Sequence, residues 1–215
     1  MSLDLLLKAS FETFSMVLVS ALCAALIGIP LGFALFIYNK DKLSAKPAVY
    51  HSLAFIVNAS RSIPFIILMV AVIPFTRLIV GTSIGTVAAM VPLTLAAIPF
   101  LARLVESALM EVPKGLIEAS EAMGAHPMQL IRFVLWPEAL PGIINALTVT
   151  LVSLVGYSAM AGAIGGGGLG DLAIRFGYQR FDGVVMLITV IVLILMVQGL
   201  QSLGELAAKI ARKGR

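Results

Sequence analysis

The sequence predicts an all-α integral membrane protein with about five transmembrane helices. Mean hydropathy is +1.06, 60% of the 215 residues are hydrophobic and only 12% are charged, which leaves too little polar surface to cover a globule in water. The apolar runs are long and continuous, whereas the strands of a membrane barrel would alternate polar and apolar residues. Helices satisfy their own backbone hydrogen bonds in hydrocarbon, so they are the expected spanning element. We expect residues 1–215 to form a single transmembrane domain.

The first expected span covers residues 14–38, which include no charged side chain. This run can cross about 30 Å of hydrocarbon at about 1.5 Å per residue. It is much longer than the apolar core of a cleavable signal, about 7–15 residues, and the preceding Lys8 is flanked by Asp4 and Glu12. We therefore expect the segment to be retained. Cys23 lies within it and is expected to be a small, buried apolar residue.

Four further spans are expected where apolar runs carry at most one internal charge: 55–76, 82–102, 143–165 and 183–204. Pro64 and Pro74 are expected to kink the span at 55–76. A polar segment of about residues 104–141 separates the third span from the fourth.

The distribution of basic residues predicts the orientation, because Lys and Arg are enriched on the cytoplasmic side. An outer N-terminus and a cytoplasmic C-terminus give ten basic residues inside and four outside. The inner ones are Lys40, Lys42, Lys46, Arg103, Lys114, Arg132, Lys209, Arg212, Lys213 and Arg215, and the outer ones are Lys8, Arg77, Arg175 and Arg180. The net charge of +4 thus indicates membrane topology and not nucleic-acid binding.

The sequence argues against a self-sufficient ion-coupled carrier or an ATPase. Ion coupling usually needs ionisable groups at membrane depth, and all eleven carboxylates fall in expected loops, tails or span ends. No Gly-Lys pair occurs anywhere in the chain, so the P-loop that cradles phosphates is absent. Energy for any transport must come from a partner.

Zinc and acid/base enzymes are also disfavoured. The two histidines, His51 and His126, are far apart and belong to no His-Glu-x-x-His pattern, so no metal site is expected. Residues 165–170, "GGGGLG", match a dinucleotide-binding pattern but follow an apolar span and not a strand. Flexible or closely packed backbone is the better interpretation of these glycines.

The polar segment predicts two short helices around a sharp corner. Val112-Pro113 is expected to start the first helix, and Gly124 to end it in the left-handed conformation. His126-Pro127 is expected to start the second, which Trp136-Pro137 and Pro141 would break before the next span. The first helix would present a face of small side chains beside Glu118 and Glu121.

Such a face can approach a partner closely, with carboxylates at its edge to meet basic side chains. The alternative is an amphipathic helix lying on the membrane surface. Surface helices are typically rich in Lys and Arg, whereas this one carries Glu.

The segment "EASEAMGAHPMQLIRFVLWPEALP" resembles the EAA loop of type I ABC-importer permeases. It departs from that motif at Ser120, the third position, and at Trp136-Pro137, which replaces a Leu-Pro pair. The resemblance implies that the loop is a coupling helix that docks on a separate ATPase subunit, and that this subunit binds ATP and Mg while the chain itself binds no cofactor. The implied docking residues are Glu118, Ala119, Ser120, Glu121, Ala122, Gly124, Ala125 and Pro127.

Three further stretches, "RSIPFIILMVAVIPFTRLIVGTSIG", "VPLTLAAIPFLARLVE" and "GYSAMAGAIGGGGLG", are similar to permeases of bacterial methionine importers. That family implies a homodimer in the bacterial cytoplasmic (inner) membrane, two ABC ATPase subunits and an extracytoplasmic methionine-binding lipoprotein. It also implies uptake of D- or L-methionine by alternating access. A permease for another small amino acid or peptide is the nearest alternative, and a membrane enzyme or assembly factor is the more distant one.

Candidate pathway residues lie in the second and fourth spans. Arg61 would line the inner mouth and meet the substrate carboxylate or a gate carbonyl, or else snorkel to lipid phosphate. Asn58 and Ser60 are polar neighbours whose default role is hydrogen bonding between helices. In the fourth span, the resemblance places the methionine of "GYSAM", Met160, at a pore constriction, with Tyr157 and Ser158 beside it.

Overall fold

A computed structural model describes residues 3–39 and 46–213 of the chain. Lys40, Lys42 and Arg215, which contribute to the expected orientation, lie outside the described residues. Regular structure within the described part is helical. The α-helices are α1 (Leu3–Tyr38), α2 (Pro47–Ser62), α3 (Phe65–Ala71), α4 (Ile73–Val80), α5 (Thr86–Met110), α6 (Lys114–Ala122), α7 (Pro127–Leu130), α8 (Trp136–Ala163), α9 (Gly168–Leu172) and α10 (Gly183–Lys213), with π-helical turns at Ile131–Leu135 and Ala173–Tyr178.

Four described helical stretches are long and apolar enough to cross a membrane. They are α1, α5, the continuous stretch Pro127–Ala163 and α10. The pair α2 and α3 qualifies as a fifth only if it is counted as one span, because the two helices meet at an angle of 101°. The all-α membrane class and the count of about five are therefore confirmed, with one span broken.

The broken span corresponds to expected residues 55–76. Ile63, the residue before Pro64, has extended backbone (φ −80°, ψ 123°), which ends α2 and re-aims the chain into α3. Pre-proline residues avoid the helical region for steric reasons. A second break at Val72 separates α3 from α4, in whose first turn Pro74 is tolerated.

Helix α5 continues past the expected end of the third span at residue 102, as far as Met110. Arg103 and Glu106, which lie beyond the expected end of that span, are therefore helical. Arg103 Nη1 lies 2.6 Å from Glu106 Oε2 at the i,i+3 spacing. This pairing compensates the two charges, so they do not end the helix.

The expected break at Trp136-Pro137 and Pro141 is wrong. Helix α8 starts at Trp136 and runs through Pro141 to Ala163. Pro137 lies in the first turn, where a missing N–H costs little. The preceding π-helical turn, Ile131–Leu135, connects α7 to α8, so the chain stays helical up to Pro137.

The core forms where α1 packs along α5 and α8. Glycines let the backbones approach: a Cβ at Gly32 would lie 2.7 Å from the carbonyl oxygen of Ala102. Around this crossing, Phe36, Leu101 and Leu135 are fully buried. Cys23, expected to be buried, is instead exposed, because it lies on the outward face of α1 with other apolar side chains.

Candidate functional site

The polar segment folds as two short helices joined by a left-handed corner. Helix α6 follows Pro113 and ends before Gly124, whose φ is +80°. The Ala125 N–H donates to the Ser120 carbonyl (3.1 Å) and the Gly124 N–H to that of Glu121 (2.9 Å). These bonds satisfy carbonyls that a helix end otherwise leaves unpaired. The expected glycine stop is confirmed.

His126 caps the second helix, α7. Its Nδ1 accepts from the Met128 N–H at 3.3 Å, and the Gln129 side chain accepts from the His126 N–H at 2.8 Å. This reciprocal pair is a capping box built with histidine. The predicted start of a helix at His126-Pro127 is confirmed, and the capping role of His126 was not foreseen.

One side of α6 is anchored in the bundle. Ile117 and Ser120 are each only 8% exposed, and Ile117 joins a cluster that includes Val112, Leu130 and Leu135. The Ser120 hydroxyl donates to the Leu116 carbonyl at 2.8 Å. The expected small-residue face is thus divided, and Ser120 belongs to its inner, buried part.

The other side of α6 is open. Of the expected docking residues, Ala125 is half-buried and Glu118, Ala119, Glu121, Ala122, Gly124 and Pro127 are exposed. Met123 and Met128 are 81% and 64% exposed beside them. In the part of the chain that is described, no basic side chain lies within 4 Å of the Glu118 or Glu121 carboxylate. The surface thus combines the exposed methionines with the negative charge of the two glutamates. Such a surface suits a partner that has an apolar cleft with basic residues at its edge.

A second candidate site is a cavity of about 470 Å³ at the break between α2 and α3. Four of the six expected pathway residues line it: Asn58, Ser60 and Arg61 from α2 and Tyr157 from α8. Phe65 and Phe100 form part of the opposite wall. The sequence did not indicate these two phenylalanines, because aromatic residues are common throughout a membrane domain.

Met160 and Ser158 lie outside this cavity. Met160 is 45% exposed on α8, three residues beyond Tyr157. Ser158 is 1% exposed, and its hydroxyl donates to the Val155 carbonyl at 2.7 Å. The Ser158 hydroxyl is therefore hydrogen-bonded within α8 and lies on the buried side of that helix.

Arg103 fixes the wall of the cavity from behind. Its Nε donates to Asn58 Oδ1 (3.1 Å), its Nη2 to the Ala54 carbonyl (3.2 Å) and its Nη1 to Glu106. The planar guanidinium thus ties α5 to α2 through two acceptors, the Asn58 side chain and the Ala54 carbonyl, while its third partner, Glu106, lies on α5 itself. The spacing Arg-x-x-Glu could have suggested the ion pair, but nothing in the sequence links it to Asn58.

The glycine-rich stretch is held by α1. Glu12 Oε2 accepts from the Gly168 N–H and Thr13 Oγ1 from the Leu169 N–H, both at 2.8 Å. Gly167 and Gly168 have φ of +77° and +74°. The interpretation of these glycines as closely packed backbone is therefore correct, although the sequence carried no sign of the partner.

Comparison with known protein families gives a match over most of the chain. Residues 26–206 match the model of the binding-protein-dependent transport system inner membrane component. The chain belongs to this family. Its members are transport permeases, so the cavity and the exposed corner belong to a transport permease.

Curated relatives in this permease family resemble the chain closely. The probable D-methionine transport system permease protein MetI of Vibrio cholerae is 56% identical over 202 residues, which cover 94% of the chain and 90% of the relative. The D-methionine transport system permease protein MetI of Escherichia coli K12 is 57% identical over 158 residues, covering 74% and 73% respectively.

Solved permease structures share the fold. A chain of the MetNI methionine ABC transporter, in a structure described as inward facing, is 50% identical with a TM-score of 0.96, and the match covers 98% of this chain and 99% of that one. An amino acid ABC transporter chain superposes with a TM-score of 0.79 at 17% identity, covering 96% and 94%. The second likeness shows a common fold only.

Proposed function

We propose that the chain is the membrane-spanning subunit of an ATP-driven importer that moves methionine into the bacterial cytoplasm. The observation that carries this proposal is the likeness to the Vibrio cholerae protein, because it extends over 94% of the chain at 56% identity. No single motif of this sequence identifies the transported substrate. Whole-length similarity to methionine permeases is therefore a better guide than any single residue.

In this proposal the exposed side of α6 and the corner at Gly124 dock on a separate ATPase subunit that binds ATP and Mg. The arrangement supports docking, because Ile117 and Ser120 fix the helix to the bundle while Glu118 and Glu121 remain exposed. A rigid lever of this kind can transmit a movement of the ATPase to the spans. A helix resting on lipid would be expected to carry basic residues on this face instead.

The functional assembly proposed is two copies of the chain, two ATPase subunits and an extracytoplasmic methionine-binding lipoprotein. The chain would lie in the cytoplasmic membrane with its N-terminus outside. The described α10 supports this orientation, because its last turn is basic (Arg212 and Lys213) and would lie on the cytoplasmic side. The five spans, one of them broken at Pro64, would form one permease domain.

Met160 is proposed as a gate on the twofold axis of the pair. Its side chain is 45% exposed in the single chain, so it is accessible to a second copy. Two flexible thioethers that meet across a symmetry axis could close an apolar pore and separate again. Tyr157 lies one turn before Met160, where it can face the pathway, whereas buried Ser158 would only support the helix.

Co-purification with the candidate ATPase subunit tests the docking element. We expect the wild-type chain to retain the ATPase at equal stoichiometry in detergent. Glu118→Arg should lose it, because charge reversal opposes a basic partner surface. Glu205→Arg, the same reversal at an exposed position on α10, is the matched control and should retain it. Loss of the ATPase by both variants, or by neither, would argue against α6 as the docking helix.

A further inference from the structure

The cavity at the break between α2 and α3 has two chemically distinct sides. The end of α2 supplies polar groups from Asn58, Ser60, Arg61 and Ser62. The facing wall is made of apolar and aromatic side chains, including Phe65, Leu68, Ala96, Phe100 and Tyr157. A volume of about 470 Å³ is within the range of small-ligand pockets, roughly 300–1,000 Å³.

Arg61 is the positive group of this cavity and is not neutralised by the described residues. None of its described lining residues is acidic. Within the described chain no carboxylate lies within 4 Å of the Arg61 guanidinium, whose centre is 5.7 Å from the Phe100 ring. A guanidinium with free donors matches a carboxylate in geometry and charge.

The two serines of this side offer acceptors. The Ser60 and Ser62 hydroxyls donate to the carbonyls of Ile56 and Asn58, at 2.8 and 2.9 Å. Their hydrogens are thereby used, while their oxygens can still accept. The carbonyls in the last turn of α2 add partial negative charge. An ammonium group would find its acceptors here, a short distance along the helix from Arg61.

The apolar wall suits a flexible, unbranched side chain. Phe65 and Tyr157 stack with ring centroids 4.8 Å apart, and Phe100 lies under Arg61. Aromatic rings make favourable contacts with thioether sulfur. With one positive charge and no acidic lining residue, the cavity would disfavour an amino acid with a cationic side chain.

We propose that this cavity is a transient binding subsite for a zwitterionic α-amino acid with an apolar side chain, on its way through the permease. Arg61 binds the carboxylate, the oxygens at the end of α2 accept from the ammonium, and the aromatic wall contacts the side chain. The inference rests on the proposed function, since it assigns a subsite to the same substrate. A lipid phosphate offers Arg61 the same kind of anionic partner, and the experiment separates the two sources.

A cysteine in the wall reports occupancy directly. Ala96→Cys is made in a Cys23→Ser background, because Cys23 is exposed, and the chain is assembled with its ATPase subunit in nucleotide-free nanodiscs. Maleimide labelling should slow saturably with methionine and with norleucine. Methionine amide, which lacks the carboxylate, should protect about tenfold more weakly or worse. Leu68→Cys is a second probe in the same wall, and Glu205→Cys, outside the cavity, should show no protection.

Substitution of Arg61 tests the assigned contact. Arg61→Gln should weaken protection by about ten- to a hundredfold, and Arg61→Lys should weaken it less, because the charge remains but the planar fork is lost. Arg77→Gln, the same change on α4 outside this cavity, should have no effect. Equal protection by methionine and its amide, or unchanged protection in Arg61→Gln, would overturn the inference.

An uptake assay and a change of lipid serve as controls, and they distinguish failure of the subsite from failure of the proposed function. If the complex takes up methionine with ATP but the cysteine is never protected, the subsite is wrong and the proposed function stands. If neither uptake nor protection occurs, the proposed function fails first and the subsite with it. If labelling slows when phosphatidylcholine is replaced by phosphatidylglycerol and methionine has no effect, Arg61 binds a headgroup phosphate and the inference is overturned.

Discussion

The carboxylate of Glu12 accepts a hydrogen bond from the backbone N–H of Gly168 at 2.8 Å, across 156 residues of sequence. The neighbouring Thr13 hydroxyl accepts from the Leu169 N–H in the same way. Through these two bonds α1 holds the glycine-rich turn that follows α8. Since Met160 lies in the last turn of α8, α1 fixes the end of the helix that carries the proposed gate.

Thr13→Val should lower the free energy of unfolding by about 1–3 kcal/mol. Valine keeps the shape but leaves the buried Leu169 N–H without an acceptor. Thr94→Val is the matched control, because the Thr94 hydroxyl only donates to the Met90 carbonyl of its own helix. Thermal unfolding of both variants in detergent measures the difference. Equal losses would mean that the contact between α1 and the turn contributes no stability of its own.

Gly124→Ala should lower the free energy of unfolding, whereas Gly115→Ala should raise it, and thermal or denaturant unfolding in detergent measures both. Neither glycine has an atom within 4 Å of the position of an added Cβ, so space does not distinguish them. Gly124 has φ +80°, where an alanine costs roughly 1–2 kcal/mol. Gly115 lies inside α6, where alanine should stabilise by about 0.5–1 kcal/mol. Destabilisation of similar size in both variants would contradict the left-handed corner.

Gly162→Ala should destabilise the bundle more than Gly199→Ala. A Cβ at Gly162 would clash with the backbone nitrogen of Asp171, and that backbone cannot move aside as a flexible side chain can. Gly199 on α10 has open space and ordinary helical geometry, so it is the control. A comparison of melting temperatures checks this. If Gly162→Ala melts with the wild type, α8 and α9 are farther apart than the structure has them.

Arg103→Ala should lower the free energy of unfolding by about 3–5 kcal/mol, because it leaves the Glu106 carboxylate buried and unpaired. The Glu106 side chain is only 3% exposed. The double variant Arg103→Ala, Glu106→Ala should recover part of that loss, since the uncompensated charge is gone. A double-mutant cycle of unfolding free energies measures this coupling. Additive losses would show that the two charges do not stabilise each other.

Met160→Ala should raise the leak of methionine and the ATPase rate in the absence of the binding lipoprotein, because the smaller side chain cannot close an apolar pore. Met196→Ala is a control, since this half-buried methionine packs in the core and not on the proposed axis. Both rates are measured on the assembled transporter. Unchanged leak and ATPase in Met160→Ala would rule out the gate.

Features set by local chemistry were accessible from the sequence. Gly124 and His126-Pro127 determine the corner of the polar segment through backbone geometry, and the long apolar runs determine the membrane class. The break at Pro64 was expected as a kink, but neither its angle of 101° nor the hydrogen bonds from Arg103 of α5 to α2 could be foreseen. Sequence spacing does not contain such tertiary contacts.

Helix ends and partners at long range were the least accessible features. Helix α5 continues to Met110 because Arg103 and Glu106 neutralise each other, and α8 starts early because Pro137 falls in its first turn. The bonds of Glu12 and Thr13 to the glycine-rich turn require α1 and α9 to be neighbours in space. A single sequence gives no indication of that proximity.

Uptake of labelled methionine into proteoliposomes tests whether the chain is a methionine permease. The chain is reconstituted with its ATPase subunit, the methionine-binding lipoprotein is placed on the outside, and ATP with Mg is enclosed. We expect saturable accumulation of methionine that stops without ATP, without the chain or with Glu118→Arg in α6, the proposed docking helix. Accumulation of another amino acid in preference to methionine, or no ATP-dependent uptake by a complex that hydrolyses ATP, would contradict it.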